Sequence, residues 1–343
     1  VAPGPGTATD GPLLSVRGLV TTFQTPKGPV AAVDHLDLTV GRSEVVGLVG
    51  ESGCGKSVTA LSVLRLVPDP PGRVEAGEVI FDGRDLLALP EREMRAVRGR
   101  RISMVFQEPM TALNPVFTVA TQIGESLRLH LGMSKAEALA KTVDLLSQVG
   151  IPSPDARARE YPHQLSGGMR QRVMIAMAIA CEPDLIFADE PTTALDVTIQ
   201  AQILSLLADL KRRTGMALVL ISHDLGVIAE MADRVLIMYA GRVVESARTS
   251  DLFASPLHPY TRGLLASLPH AGKGGRLAAI PGAVPALTEL PHGCKFRPRC
   301  PDAHAACEGP EPALVTIGTG HQVRCFLHSP ASVEDTAAAA GGR

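Results

Sequence analysis

Short, largely apolar runs punctuate the chain at 44–49 (EVVGLV), 102–106 (ISMVF), 185–188 (LIFA) and 217–221 (ALVLI). Runs of this length without polar alternation suit strands buried on both faces, and helical stretches lie between them. The pattern therefore predicts an α/β architecture, a mainly parallel sheet covered on both sides. From Leu13 to about Val40 the pattern alternates instead, as at Leu36, Leu38 and Val40, which predicts short half-exposed strands. A Gly-rich segment at 50–57 follows the first apolar run, and 58–67 reads as a helix. Between about 108 and 160 the apolar runs stop and SKAEALAKTVDLL reads as helical, so a helical subdomain is expected there, inserted into the sheet.

After about 250 the composition shifts towards Pro, Gly and His, and four of the six cysteines lie in the last fifty residues. A separate C-terminal extension over 251–330 is expected. The Pro/Gly-rich residues 1–12 and the closing 331–343 read as disordered.

At 343 residues with 45% apolar and 20% charged residues, the chain can bury a large core. Lys plus Arg number 33 against 35 Asp plus Glu, a net charge of −2, so nothing draws it to nucleic-acid phosphates. Tryptophan is absent and aromatics total 3%, which removes the stacking platforms of single-strand binders. The longest apolar stretch, Val173 to Cys181, has nine residues, short of the roughly 18 that cross a bilayer. The first residues carry neither a positive charge nor an apolar block, so no secretory signal is read and the thiols are expected to stay reduced.

Gly50-Glu51-Ser52-Gly53-Cys54-Gly55-Lys56-Ser57 fits G-x-x-x-x-G-K-[ST] between an expected strand and an expected helix. Glycines let the backbone wrap a phosphate chain with its N–H groups inward. Lys56 can neutralise β and γ phosphates, and the Ser57 hydroxyl can ligate Mg²⁺. The apolar run 185–188 delivers Asp189 to a strand end, where a carboxylate can hold that metal, and Glu190 beside it can polarise an attacking water. Cys54 sits inside the loop near Lys56 and a helix N-terminus, which favours a thiolate open to alkylation. Cys181 reads as buried packing.

Together with Leu165-Ser166-Gly167-Gly168-Met169-Arg170-Gln171-Arg172, these residues resemble the ATP-binding subunits of ATP-binding-cassette (ABC) transporters. The resemblance implies a P-loop NTPase fold with a RecA-like core, an antiparallel β subdomain and an inserted helical subdomain, covering 13–250. It implies that two cassettes meet head to tail, so that Ser166, Gly167 and Gly168 cap the nucleotide held by a partner. In the same family order, Gln107 resembles the glutamine that senses Mg²⁺ and γ-phosphate, and Asp196 in TTALD the loop that communicates across the dimer. His223 in ISHD resembles the switch histidine, and Phe23 is the candidate for stacking on adenine.

The segments His258-Pro259-Tyr260-Thr261-Arg262, Ile280-Pro281-Gly282-Ala283-Val284-Pro285 and the stretch Gly293 to Pro301 look like those of oligopeptide/dipeptide/nickel importer ATPases. Cys294, Cys300, Cys307 and Cys325 are separated by five, six and seventeen residues, unlike the C-x-x-C pairs of common zinc modules. Four thiolates could hold a [4Fe–4S] cluster, as in some members of that importer family, or Zn²⁺ with His292, His304, His321 or His328 as substitute ligands, or no metal at all. The resemblance implies an ATPase on the cytoplasmic side of the membrane that powers import of peptides, or of nickel or another small solute. Its partners would be two transmembrane permease subunits, a second ATPase subunit and, indirectly, an extracellular binding protein. A soluble cassette ATPase in repair or translation, and a regulatory cassette with little turnover, are the rival readings.

Overall fold

The computed structural model describes residues 11–193, 195–268 and 280–328. It divides into two compact units, one comprising 1–14, 40–45 and 80–221 and the other 15–39, 46–79 and 222–343, both counted over their described residues.

In the first unit, strands Ile102–Val105, Leu185–Asp189 and Ala217–Ser222 run parallel in that order, with Val105 opposite Ala188 and Asp189 opposite Ile221. Leu185, Ile186, Phe187 and Ala188 are all fully buried, as both-faced burial of an unalternating run demands. Helices Val119–Leu131, Lys135–Gln148 and Pro154–Ala158 occupy the stretch where the apolar runs stop. The second of these starts on a capping box: the Ser134 hydroxyl accepts from the Glu137 N–H, and Glu137 reaches back to the Ser134 N–H across 2.8 Å. The first ends where Gly132 takes φ 68°.

In the second unit, Val45–Val49 lies parallel to Arg234–Tyr239, and Arg242–Arg248, His321–Val323 and Val315–Ile317 continue antiparallel from there. The C-terminal segment thus adds two strands to this sheet rather than standing off it. Strands Gly28–Val40, Leu14–Thr25 and Gly72–Phe81 are neighbours in that order in another sheet. Leu36, Leu38 and Val40 are buried while His35, Asp37 and Thr39 face out, the period-two pattern expected there.

The helix after the Gly-rich segment is shorter than the sequence pattern suggests. It runs Lys56–Val63, because Arg65 adopts φ 53° and the prolines from Pro68 onward cannot extend it.

Candidate functional site

Gly53 and Gly55 take φ 80° and 105°, conformations that L side chains rarely adopt. Close packing makes two of the glycines obligatory: a Cβ on Gly50 would lie 2.3 Å from the Met238 carbonyl oxygen, and one on Gly55 2.2 Å from that of Ala32. Lys56, 5% exposed, folds its ammonium back on the loop, donating to the Gly50 carbonyl at 2.7 Å and the Glu51 carbonyl at 3.1 Å. A buried cation held by neutral carbonyls of a Gly-rich loop is a site suited to a phosphate chain. Ser52 and Gly53 lie on the exposed side of the loop, and Ser57 is half-buried in the first turn of the helix.

Cys54 corrects one expectation. It is 1% exposed, and burial raises its thiol pKa against the opposing pull of Lys56, so the accessible thiolate read from the sequence is absent. Its N–H donates to the Glu51 carbonyl and its own carbonyl accepts from Gly241. Phe23 is half-buried, its ring close over Gly72, where a Cβ would come within 2.6 Å of it.

In the first unit, strand register brings two predicted residues together. Gln107 and Glu190 each lie two positions past the paired residues Val105 and Ala188, and the Gln107 Nε2 donates to Glu190 Oε2 at 3.0 Å. The Thr193 hydroxyl donates to the same oxygen at 2.8 Å. Glu190 adopts φ 44°, a conformation uncommon for a non-glycine residue, and its N–H is held by the Ile221 carbonyl at 2.9 Å. Asp189, the last strand residue, is 4% exposed.

Ser166 caps the helix Gly167–Ile179, its hydroxyl accepting from the Met169 N–H at 3.3 Å. Ser166 and Gly167 are exposed, and Gly168 lies close to Ile199, a Cβ there falling 3.0 Å away. Asp196 caps the helix Val197–Thr214 by accepting from the Ile199 N–H at 3.0 Å, and Val197 beside it is 80% exposed. His223, in the second unit, is exposed ahead of the helix Leu225–Met231.

The four C-terminal cysteines lie in the second unit, within one another's electrostatic reach. Burial first, then the neighbouring thiols among other groups, raises the pKa of Cys294 and of Cys325, the latter to about 11; Cys300 is likewise raised, first by burial. The Cys294 N–H donates to the Cys307 carbonyl at 3.1 Å. Among the described residues, however, no group of three or more His, Cys, Asp or Glu forms that could hold a metal ion, so neither the expected iron–sulfur cluster nor the zinc alternative is supported. The physical reason is geometric: the fold does not gather enough donors round one point, and three of the four substitute histidines are engaged elsewhere, while His304 Nδ1 lies 3.7 Å from the Cys307 thiol. His321 bonds Glu245 at 2.7 Å, His292 and His328 bond the carbonyls of Glu308 and Leu257, and His304 that of Asp302. Cys181 is buried, its thiol 3.7 Å from the Ser126 carbonyl.

Sequence reasoning missed what surrounds the phosphate-type loop in its own unit. Arg299 and Tyr260, more than two hundred positions away, both bond Glu51. Only the motif-like character of the segments around them hinted at a role.

A family model described as ABC transporter matches residues 33–193, and one described as the C-terminal region of oligopeptide/dipeptide transporters matches 244–307. The chain is 54% identical over 316 residues to a probable peptide ABC transporter ATP-binding protein of Sinorhizobium fredii, covering 92% of this chain and 94% of that one. The chain belongs to the ABC transporter ATP-binding proteins. It is also 50% identical to the oligopeptide transport ATP-binding protein AppD of Bacillus subtilis, over 94% of this chain and 99% of that one. With the dipeptide transport ATP-binding protein DppD of Escherichia coli it shares 51% identity, over 91% and 96% of the two chains. Among solved structures, the ATP-binding cassette MJ0796, a dimer bound to ADP and phosphate after hydrolysis, matches with TM-score 0.62 and 28% identity over 69% of this chain and 98% of that one. The fold is therefore that of an ABC ATPase, with mixed α/β sheets, and ATP with Mg²⁺ is the expected ligand pair. Among the described residues no helix is long and apolar enough to cross a membrane.

Proposed function

We propose that this chain is the ATP-hydrolysing subunit of a peptide importer, bound to the cytoplasmic face of the membrane through permease subunits. The observation that carries the cargo class is the match of 244–307 to the oligopeptide/dipeptide transporter C-terminal region, alongside near-full-length relatives named for peptide transport. Transport of nickel or another small solute is the alternative within the same class.

The roles follow from the residues. The Gly50–Gly55 backbone and Lys56 hold phosphates, and Ser57, Asp189 and Gln107 serve Mg²⁺. Glu190 orients and activates water, and His223 reports the γ-phosphate. Mg²⁺ supplies charge neutralisation on the phosphates when bound. Ser166 and Gly167, exposed, and half-buried Gly168 form a capped helix start, an end suited to a nucleotide held by a second cassette. Asp196 and Val197, both exposed, are assigned to the surface that meets that second cassette. Phe23 is the adenine-stacking candidate. ATP-driven closure of two cassettes, identical or paralogous, would then move the helical segment that follows Gln107.

Phe106, Met110, Val116 and Phe117, which flank Gln107, are 40%, 62%, 69% and 48% exposed, an apolar set supporting contact with permease helices. The cassette over 13–250, the helical subdomain at about 108–160 and the extension at 251–330 are the corresponding domain assignment.

The test is isolation of the chain from solubilised membranes with its partners, followed by ATP-dependent uptake of labelled dipeptide, longer peptide and Ni²⁺ into proteoliposomes. Uptake of a peptide that stops in Glu190→Gln supports the reading. Purification with ribosomes or nucleic acid and no membrane partner would sink it.

A further inference from the structure

We infer that Arg299 is a positioning residue for ATP, acting through Glu51 of the phosphate loop. The inference deepens the proposed ATPase function and rests on reading 50–57 as that loop.

Three observations within one unit carry it. The guanidinium of Arg299 grips the Glu51 carboxylate with two hydrogen bonds, Nη1 to Oε2 at 2.6 Å and Nη2 to Oε1 at 3.0 Å, while its Nε donates to the Pro281 carbonyl at 3.0 Å. The fork is thus fully engaged, its side chain 4% exposed against 30% for Glu51, and its cation lies 5.9 Å from the centre of the Tyr239 ring. Second, the Tyr260 hydroxyl accepts from the Glu51 backbone N–H at 3.0 Å. Third, an aromatic cluster fixes both partners from behind: Tyr260 packs on Tyr239 at 4.9 Å and on Phe296 at 5.3 Å, and His258 Nδ1 accepts from the Tyr260 N–H at 3.0 Å.

Glu51 is an awkward residue for its place. Its carbonyl is one of the two that hold Lys56, so its backbone is part of the cradle, yet its side chain adds a negative charge to a loop built to receive polyphosphate. Coulomb repulsion between that carboxylate and the phosphates opposes binding. Arg299 cancels the charge and points the carboxylate at the C-terminal segment, while Tyr260 pins the backbone. The segment between Cys294 and Cys300 thereby becomes part of the nucleotide machinery.

The test uses the full-length chain, Mg-ATP as the titrant, and hydrolysis in parallel. R299A is expected to raise the Kd and KM for ATP about tenfold, equivalent to about 1.4 kcal/mol, with a much smaller change in kcat. Removing the exposed charge should undo most of this, so the double variant E51Q/R299A is expected to bind ATP more tightly than R299A. A merely structural brace would give no such recovery. Should R299A fail to fold, R299Q carries the same expectation. Unchanged ATP affinity in a folded R299A, or an E51Q/R299A no better than R299A, would overturn the inference. K56A separates the two levels: if it binds ATP like the parent chain, the loop reading itself fails, whereas loss of binding in K56A with normal binding in R299A removes only the role of Arg299.

Discussion

The side-chain amide of Gln107 donates to Glu190 Oε2 across 3.0 Å, and the register Val105 opposite Ala188 is what makes the two meet. Because parallel strands advance in step, residues two positions past a paired couple emerge at the same sheet edge. The same carboxylate oxygen also accepts from Thr193, so two donors hold it on a backbone already turned to φ 44°. Replacement by Glu190→Gln keeps the volume but removes the carboxylate. We expect ATP turnover to fall by about 10²-fold or more, the usual scale for a general base, while ATP binding survives. Steady-state hydrolysis and equilibrium ATP titration of the same preparation check this; undiminished turnover would remove Glu190 from the assigned role.

Ser166 has a structural task that can be weighed separately from any contact with nucleotide. Its hydroxyl satisfies the Met169 N–H at the start of the helix Gly167–Ile179. Ser166→Ala should cost about 1 kcal/mol of stability, as helix caps do, and Ser166→Asp, which restores the cap, should regain it. Urea unfolding measures the stability. ATP turnover that stays low in Ser166→Asp despite the recovered stability is the signature of a second, nucleotide-facing role.

Buried His258 makes stability fall on mild acidification. Burial, with Arg262 and His328 adding to it, lowers its pKa to about 3, so the folded ring stays neutral and its Nδ1 accepts from the Tyr260 N–H. The unfolded chain takes up a proton near the ordinary value of about 6.5 that the folded one refuses. Stability contributed by this group is therefore lost as pH drops below about 6.5, by about 1.4 kcal/mol per pH unit. Urea midpoints at pH 7 and pH 5 should differ less in His258→Gln than in the parent chain.

Asp34 works at lower pH. Burial opposes its ionisation, but Lys295 at 2.7 Å, Arg242 at 2.9 Å and His35 at 2.7 Å outweigh that and hold the carboxyl well below the usual range. The contribution is complete above the unfolded value of about 3.9 and disappears as pH falls through the depressed folded value. Asp34→Asn should cost about 2 kcal/mol at pH 7 by taking the charged partner from Lys295, which keeps the Ala240 carbonyl at 3.0 Å, while Arg242 keeps Glu311 at 3.1 Å, and progressively less below pH 4. Denaturant melts at the two pH values decide it.

Cys54 should resist alkylation. With its side chain 1% exposed and its thiol pKa raised by burial, reaction with maleimide has to wait for the loop to open. Peptide mapping by mass spectrometry should find half-buried Cys300 labelled well before Cys54, and the reverse order would contradict this packing.

Much of this was readable from residues alone. The apolar runs around Val46, Phe187 and Val219 are local patterns whose burial on both faces leaves a parallel strand as their natural fate, and all three are strands. The Gly50–Ser57 spacing is equally local, since a loop that wraps phosphate needs its glycines and lysine at set intervals in one short segment. The stretch SKAEALAKTVDLL reads as helical from local pattern too, and Lys135–Gln148 is a helix.

What only the tertiary structure decided are the properties that depend on neighbours distant in sequence. The thiol of Cys54 looked activated beside Lys56, yet the protein packed around it desolvates the charged form and reverses the direction of the shift. The C-terminal cysteines looked like a ligand set, yet whether side chains close round an ion is a matter of ångströms that spacing does not contain. The clamp of Arg299 on Glu51 spans 248 positions, and no local periodicity encodes so remote a pairing. Short-range patterns specify strands, turns and caps because they follow from backbone geometry and burial within a few residues. Dielectric surroundings, charge partners and coordination arise only when the folded chain brings its far segments together.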